Sequence, residues 1–281
     1  MRPLTLGYLT LEDVSPAELV SVAGAAGFEA VGIRITGRKK ADPYFPIVGH
    51  RDAVREIKRR LDDTGVRLSN IGAYYVTPDI GAADFAPIVD IAAELGAPLI
   101  VANNHDTDPR HYFETMASYC DLAAKAGIRL VLEFMRYSQA TSLEHALRIL
   151  DALGRNNFGL LADPLHLSRS GGHPSDLRVQ ADRIFLAQLC DAKGPPPTSI
   201  ADITHEARNG WLNPGDGDLP LGAFIDALPL GIELECEVPQ TRLAGLPAVE
   251  RARRVALTCR SFLTRHAEQS DRRSIATRHV P

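Results

Sequence analysis

The sequence predicts a single-domain α/β fold, the (β/α)8 TIM barrel. Short apolar runs alternate with longer segments of helical periodicity, which is the pattern of repeated βα units around a parallel sheet. Eight such units follow one another, and a chain of 281 residues, 45% of them hydrophobic, is long enough to bury one barrel core. A doubly wound open sheet is the alternative, but no predicted strand is followed by a GxGxxG sequence.

The predicted elements follow from apolar runs and from the residues that punctuate them. Strands are expected at Leu4–Leu9, Ala30–Ile35, Arg67–Tyr74, Pro98–Ala102, Arg129–Phe134, Phe158–Ala162, Ile184–Cys190 and Ile232–Val238. Helices are expected near residues 16–26, 50–64, 82–95, 109–126, 142–153, 175–182, 220–227 and 248–265. Ser15 before Pro16 is a typical helix start, and glycines at 27, 65, 96, 127 and 154 stand where helices should stop. The catalytic domain is expected to span residues 1–268.

Two segments depart from this alternation. Gly194–Pro220 is rich in proline and glycine and is predicted to be a long functional loop after the seventh strand. Residues 269–281 are polar and arginine-rich without periodicity, and they are predicted to form a flexible C-terminal tail.

Composition excludes several function classes. The net charge of −4, with scattered Lys and Arg, gives no basic surface for nucleic acid. No apolar run approaches the roughly 18 to 20 residues that span a bilayer, and no signal sequence is evident, so a cytoplasmic protein without a membrane partner is expected. Cys120, Cys190, Cys236 and Cys259 lie far apart and are interpreted as reduced core residues.

Polar side chains recur where predicted strands end. In a barrel of this kind the active site forms at the carboxyl ends of the strands. The fifth strand ends with Glu133, the sixth is followed by Asp163, the seventh carries Gln188, and the eighth carries three glutamates. Burying several carboxylates together costs several kcal/mol per ion, roughly, unless a cation compensates them. One divalent metal ion is therefore predicted, Mn²⁺ or Mg²⁺ first, with Co²⁺ or Zn²⁺ as alternatives. For Asp163 alone, a turn at the Asp-Pro pair is the simpler interpretation.

The eighth strand allows one of its glutamates to be preferred. Alternation along a strand turns Glu233, Glu235 and Glu237 toward the same face, the barrel interior. Glu237 is nearest the carboxyl end and is predicted to be the metal ligand. Glu235 would lie about 6 to 7 Å deeper, supporting the ligands from behind and needing an Arg or Lys partner. Asp191, after the seventh strand, is expected to play a similar supporting role.

These residues resemble a known family. LEFM with Glu133, DPLHL with Asp163 and His166, QLCD with Gln188 and Asp191, EARNGWLNPGDGDLPL, and EVP with Glu237 together look like the xylose isomerase-like TIM-barrel family of sugar isomerases, epimerases and related dehydratases. The resemblance covers nearly the whole chain up to the tail. Many members carry His where this chain has Gln188, and the QLCD sequence is shared with a subgroup that includes dehydroshikimate dehydratase-like proteins.

The resemblance implies roles for several residues. Glu133 and Glu237 would bind the metal and also act as the proton-transferring acid and base, while Asp163 and Gln188 would complete the coordination. His166 and Arg208 would contact substrate. Position alone adds two candidate substrate contacts, His105 after the fourth strand and Arg242 after the eighth, where barrels of this type often bind phosphate.

The predicted function is that of a divalent-metal-dependent isomerase or epimerase acting on a small polyhydroxylated carbonyl compound through an enediolate. A dehydratase of the dehydroshikimate or inosose kind is the alternative on the same site. Phosphodiester hydrolysis, as in endonuclease IV, needs a histidine-rich zinc site and a basic face, and neither is present in the sequence. A metal-free binding protein is a further alternative, and assembly into a homo-oligomer is left open.

Overall fold

Eight parallel strands close into a barrel in the order of the chain, so the predicted (β/α)8 fold is confirmed. The structure, a computed structural model, describes residues 2–40, 42–239 and 243–278, with side chains described through residue 272. The strands are β1 Leu4–Leu6, β2 Ala30–Ile33, β3 Arg67–Val76, β4 Leu99–Asn104, β5 Arg129–Glu133, β6 Phe158–Ala162, β7 Ile184–Leu189 and β8 Leu234–Cys236. β8 pairs with both β7 and β1, which closes the barrel.

The helices surround the barrel and bury their apolar faces against it. They are α1 Pro16–Ala26, α2 Arg51–Thr64, α3 Ala82–Leu95, α4 Pro109–Lys125, α5 Leu143–Leu153, α6 Pro164–Arg169, α7 Pro174–Arg178, α8 Ile200–Asn209, α9 Leu221–Ala227 and α10 Ala248–Arg278. Ser15 caps α1 as predicted, and left-handed glycines end α1, α2, α3 and α5. Among the described helices, none has the length and apolar character of a membrane-spanning segment.

Two stretches predicted to be irregular contain helix. The long segment after β7 includes α8, which Ser199 begins by accepting a hydrogen bond from the backbone of Asp202. α10 continues past Gln269, where the sequence predicts a tail, and ends at Arg278. The prediction that this region lacks regular structure is therefore wrong through residue 278, and residues 279–281 lie outside the described part of the chain.

The barrel interior is apolar in the middle and polar toward both ends. Leu99, Val101, Val131, Leu161 and Leu186 form the interior cluster, each contributed by a strand from β4 to β7. At the amino-terminal end, Thr5 donates a hydrogen bond to Glu233, which also pairs with Arg67 at 3.3 Å. Glu233 is thereby satisfied far from the carboxyl ends of the strands.

Candidate metal and substrate site

A cavity of about 910 Å³ opens at the carboxyl ends of the strands. Its lining includes Glu133, Glu235 and Glu237, which we call the carboxylate cluster, together with Gln188 and His166. All three glutamates are buried. The structure thus brings predicted site residues from β5, β7 and β8 to one cavity, as the position of strand ends in a barrel requires.

Glu133 is the last residue of β5 and is 7% exposed. Its Oε2 accepts a hydrogen bond of 3.2 Å from Asn103 Nδ2, and its backbone N–H donates to Asn103 Oδ1 at 3.2 Å. His166 Nε2 lies 3.6 Å from its other carboxylate oxygen. Burial, together with the nearby carboxylates of Asp163 and Glu235, raises the pKa of Glu133 to about 8. A carboxyl with that pKa exchanges protons readily near neutral pH.

Gln188 joins the two glutamates of β8. Its amide Nε2 donates to Glu235 Oε1 at 3.1 Å and to Glu237 Oε2 at 2.8 Å. Its carbonyl Oε1 is buried and has no hydrogen-bond donor. A buried carbonyl oxygen without a donor is costly, and a cation is one partner that satisfies it.

Glu235 and Glu237 are held in the same pocket with little compensating charge. Burial raises the pKa of Glu235, and burial with three neighbouring carboxylates raises the pKa of Glu237 well above its usual range. Asn70 donates a hydrogen bond to Glu235. Gly32 makes room for this pair, because a Cβ at that position would lie 2.5 Å from Glu235 Oε2 and 2.9 Å from Asn70 Nδ2. The Arg or Lys partner predicted for Glu235 is therefore replaced by two amides.

These features fit a divalent cation. Among the described residues, no Arg or Lys forms an ion pair with Glu133, Glu235 or Glu237; Arg34 lies 3.6 Å from Glu12, and Arg136 donates to the Arg169 backbone. Within the described chain, no group of three or more His, Cys, Asp and Glu side chains is arranged to hold a metal ion. A metal here would accordingly depend on the Gln188 carbonyl as well as on the carboxylates.

Asp163 lies behind the cavity lining and is fully buried. It begins α6, with Oδ1 accepting from the His166 backbone at 2.7 Å and Oδ2 accepting from Cys190 Sγ at 3.4 Å. The Asp-Pro pair thus begins a helix where a turn was the simpler prediction, and the role of Asp163 as a metal ligand stays a prediction. His166 lines the cavity beside Tyr137 and Trp211, with ring centroids 5.8 Å and 6.1 Å away.

Arg208 reaches the cavity from the carboxyl end of α8 and is exposed. The helix that carries it is fastened to α6 by the buried side chain of Arg169. That guanidinium donates from Nε and Nη2 to the two carboxylate oxygens of Glu206 at 2.8 Å and 2.7 Å. The Asp-Pro stretch and the segment bearing Arg208 therefore form one rigid wall of the cavity.

Two predicted site residues, His105 and Asp191, lie elsewhere, and a third is outside the described part of the chain. His105 is outside the cavity lining and stacks on Tyr75, with centroids 3.9 Å apart, so Tyr75 stands between it and any substrate. Asp191 does not support the metal ligands; its carboxylate accepts backbone hydrogen bonds from Ala192, Gly215, Gly217 and Leu219 and folds the loop before α9. Arg242 lies outside the described residues.

Several lining residues were missed by sequence reasoning. Asn70 and Asn103 orient the glutamates from β3 and β4, and Arg34 enters the cavity directly after β2. The same rule that selected Glu133 applies to Asn103 and Arg34, which stand at or just beyond the carboxyl end of a strand, whereas Asn70 lies in the first half of β3 and gives no such signal. Carboxylates at strand ends indicate a functional site because they are costly to bury. Neutral amides are common in protein cores and do not give the same indication.

Comparison with known proteins agrees with this architecture. Residues 20–259 match a family model described as xylose isomerase-like TIM barrel. An inosose isomerase of Bacillus velezensis is 34% identical over 119 residues, which are 41% of this chain and 40% of that relative. The match thus spans less than half of the length of this curated relative.

Solved structures show the same fold at low sequence identity. The IOLI protein with a bound zinc atom superposes with a TM-score of 0.77 at 16% identity, covering 95% of this chain and 99% of that one. The probable 3-DHS dehydratase AsbF of Bacillus anthracis superposes with a TM-score of 0.68, also at 16% identity, covering 89% and 97%. At these identities the likeness concerns the fold.

Proposed function

The chain belongs to the xylose isomerase-like TIM barrel family, and we propose that it is a divalent-metal-dependent isomerase or epimerase of a small polyhydroxylated carbonyl compound. The observation that carries this proposal is the carboxylate cluster at the carboxyl end of the barrel, which is buried and has no Arg or Lys ion-pair partner among the described residues. Gln188 links Glu235 and Glu237, and its carbonyl oxygen has no donor. The inosose isomerase relative acts on a compound of this class by its name.

Glu133, Gln188 and Glu237, with Asp163 behind them, are the residues proposed to hold the cation. When bound, a divalent ion would polarise the substrate carbonyl and stabilise the negative charge that develops when a neighbouring proton leaves. Mn²⁺ and Mg²⁺ suit a set of oxygen ligands, and Zn²⁺, which the IOLI protein binds, suits it less well.

The chain's own residues supply the proton transfer. Glu133 and Glu237 have raised pKa values and lie on opposite sides of Gln188, so one can accept a proton from a substrate carbon while the other returns it. His166, whose pKa burial lowers, is neutral at pH 7 and can hydrogen-bond a substrate hydroxyl. Tyr137, His166 and Trp211 line one wall of the cavity, where they limit access of bulk water.

Deuterium exchange tests the proposal. The purified protein is incubated in D2O with Mn²⁺ and a panel of ketoses, inososes and 3-dehydroshikimate, and substrate deuterium is read by NMR. Deuterium incorporation without loss of water is expected. A new conjugated ultraviolet chromophore would assign the dehydratase reaction to the same site, and a protein without any divalent metal or metal-dependent stabilisation would refute both.

A further inference from the structure

Arg34 is a buried cation whose hydrogen-bonding capacity is largely unused. It follows β2 directly, is 4% exposed and lines the cavity. Its Nε and Nη1 atoms are buried and have no hydrogen-bond partner. The guanidinium carbon lies 4.1 Å from the ring centroid of Tyr44 and 5.1 Å from that of Tyr8. The two rings hold the charge in place, and Tyr44 also hydrogen-bonds the guanidinium, but Nε and Nη1 remain without a partner.

Among the described residues, Glu12 is the carboxylate that pairs with Arg34, and it is shared with Arg38. Glu12 Oε1 lies 3.6 Å from Arg34 Nη1, beyond hydrogen-bond distance, and accepts a 2.8 Å hydrogen bond from Arg38 instead. Glu12 is also 45% exposed, so solvent weakens its field. A charged group left without partners in a buried position costs stability, and proteins keep such groups where a ligand completes them.

Other cations surround the same part of the cavity. Arg38 and Lys39 come from the loop after β2, and Arg208 faces them from α8. Neither Lys39 nor Arg208 forms an ion pair among the described residues, and both side chains are exposed. Glu12, Asp13 and Asp42 line the cavity as well, and Glu12 pairs with Arg38 while Asp13 pairs with Arg251. With the carboxylate cluster at the bottom of the cavity, we call Arg34, Arg38, Lys39 and Arg208 together the cationic mouth.

We propose that the cationic mouth binds an oxyanion on the substrate, a carboxylate or a phosphate, with Arg34 as its central contact. This inference rests on the proposed function, which sets the orientation of the substrate. The carbonyl and hydroxyl groups of the substrate face the carboxylate cluster, and the oxyanion faces outward. It narrows the substrate class to acidic polyhydroxylated carbonyl compounds and disfavours neutral inososes.

Three matched polyols test the proposal by isothermal titration: D-glucitol, D-gluconate and D-glucitol 6-phosphate. Each is titrated into metal-free and Mn²⁺-loaded protein at low salt. At least one of the anionic polyols should bind tenfold or more tightly than glucitol in both forms, since hydrogen bonds between charged groups are stronger than those between neutral groups. The tighter of the two identifies the source of the oxyanion.

Substitutions locate the effect. Arg34→Met keeps an apolar stem between the two tyrosines and should abolish the preference for the anion while leaving glucitol binding unchanged. Arg55→Met, which removes one exposed charge on α2 outside the cavity, is the matched control and should retain the preference. Should Arg34→Met fail to fold, the double substitution Arg38→Met with Lys39→Met at the partly exposed mouth should still weaken anion binding severalfold.

The outcomes separate this inference from the proposed function. Equal affinity for all three polyols, no binding of either anion, or a preference that survives Arg34→Met would overturn the oxyanion site. If the oxyanion site is overturned but the protein binds metal and exchanges deuterium into a neutral inosose, the proposed function still stands. Conversely, an Arg34-dependent anion preference in a protein that binds no metal would keep the oxyanion site and refute the isomerase.

Discussion

Glu133 and Glu237 occupy positions where an ionised carboxylate destabilises the folded chain. Burial and mutual repulsion raise both pKa values, and amide donors offset only part of that cost. Proteins accept such a cost at functional sites, where groups with shifted pKa values perform proton transfer. Gln188 adds a second unmet requirement through its carbonyl oxygen. At the residue scale, these unmet requirements support the proposed cation.

Replacing either glutamate by glutamine should remove activity but not the fold. Glu133→Gln and Glu237→Gln keep shape and hydrogen-bonding groups while losing the proton-transferring group, which is worth roughly 10²–10⁴-fold in rate. We expect the deuterium exchange rate to fall by that amount with unchanged circular dichroism. Glu94→Gln on the exposed face of α3 is the surface control and should exchange normally. If Glu237→Gln stays fully active and Glu235→Gln is inactive, the proton transfer belongs to Glu235 and not to Glu237.

Glu133 also predicts a pH dependence of stability. A carboxyl whose pKa rises from 4.5 to about 8 on folding binds its proton more tightly in the folded state. Its contribution is fully present below about pH 4.5 and is lost as the pH rises through 8. The melting temperature of the metal-free protein should therefore fall across this range, and Glu133→Gln should fall less. If the melting temperatures of the two proteins change equally between pH 5 and 9 in EDTA, the pKa of Glu133 is not raised in the folded protein.

At the scale of elements, the loop between α8 and α9 is folded around one buried carboxylate. Asp191 accepts four backbone N–H groups at 2.8 to 3.1 Å, and Gly217 has no room for a Cβ against it. This loop follows the segment that carries Arg208 and Trp211, so Asp191 fixes one side of the cavity from a distance.

Asp191→Asn should loosen that loop. The substitution removes the charge and one acceptor oxygen and should lower the free energy of unfolding by about 1–3 kcal/mol, because buried N–H groups lose their partner. Urea denaturation measures the loss, and hydrogen exchange should accelerate at the amides of residues 215, 217 and 219. Asp216→Asn, exposed in the same loop, is the control. Equal protection of these amides in both variants would remove Asp191 from this role.

The sequence predicts elements best where local chemistry determines them. Left-handed glycines and apolar runs located the core strands and helices within a few residues, because these signals act through neighbouring backbone. α8 was missed because only Ile203 and Ala207 of its ten residues are buried, too few to give a helical period. The end of α10 was missed because its residues are polar. This part of the helix continues earlier turns of α10 that are already packed.

At the scale of the whole molecule, barrel closure determines which side chains meet. β5, β7 and β8 place their ends around one cavity, and so the meeting of Glu133, Gln188 and Glu237 in that cavity was predictable from strand ends alone. Contacts that depend on tertiary packing were not predictable. They are the packing of Tyr8 and Tyr44 against Arg34, the hydrogen bonds from the loop before α9 to Asp191, and the stacking of Tyr75 on His105. Each of these contacts joins residues from different parts of the fold, and a local sequence pattern does not predict such contacts.

The central claim is that the carboxylate cluster and Gln188 hold one divalent cation, and titration of Mn²⁺ into EDTA-treated protein tests it most directly. We expect one Mn²⁺ per chain with release of protons, because ligands with raised pKa values must lose them on binding. Affinity should rise with pH and fall at least tenfold in Glu133→Gln and Glu237→Gln. No saturable binding, or binding unchanged in both variants, would contradict the account.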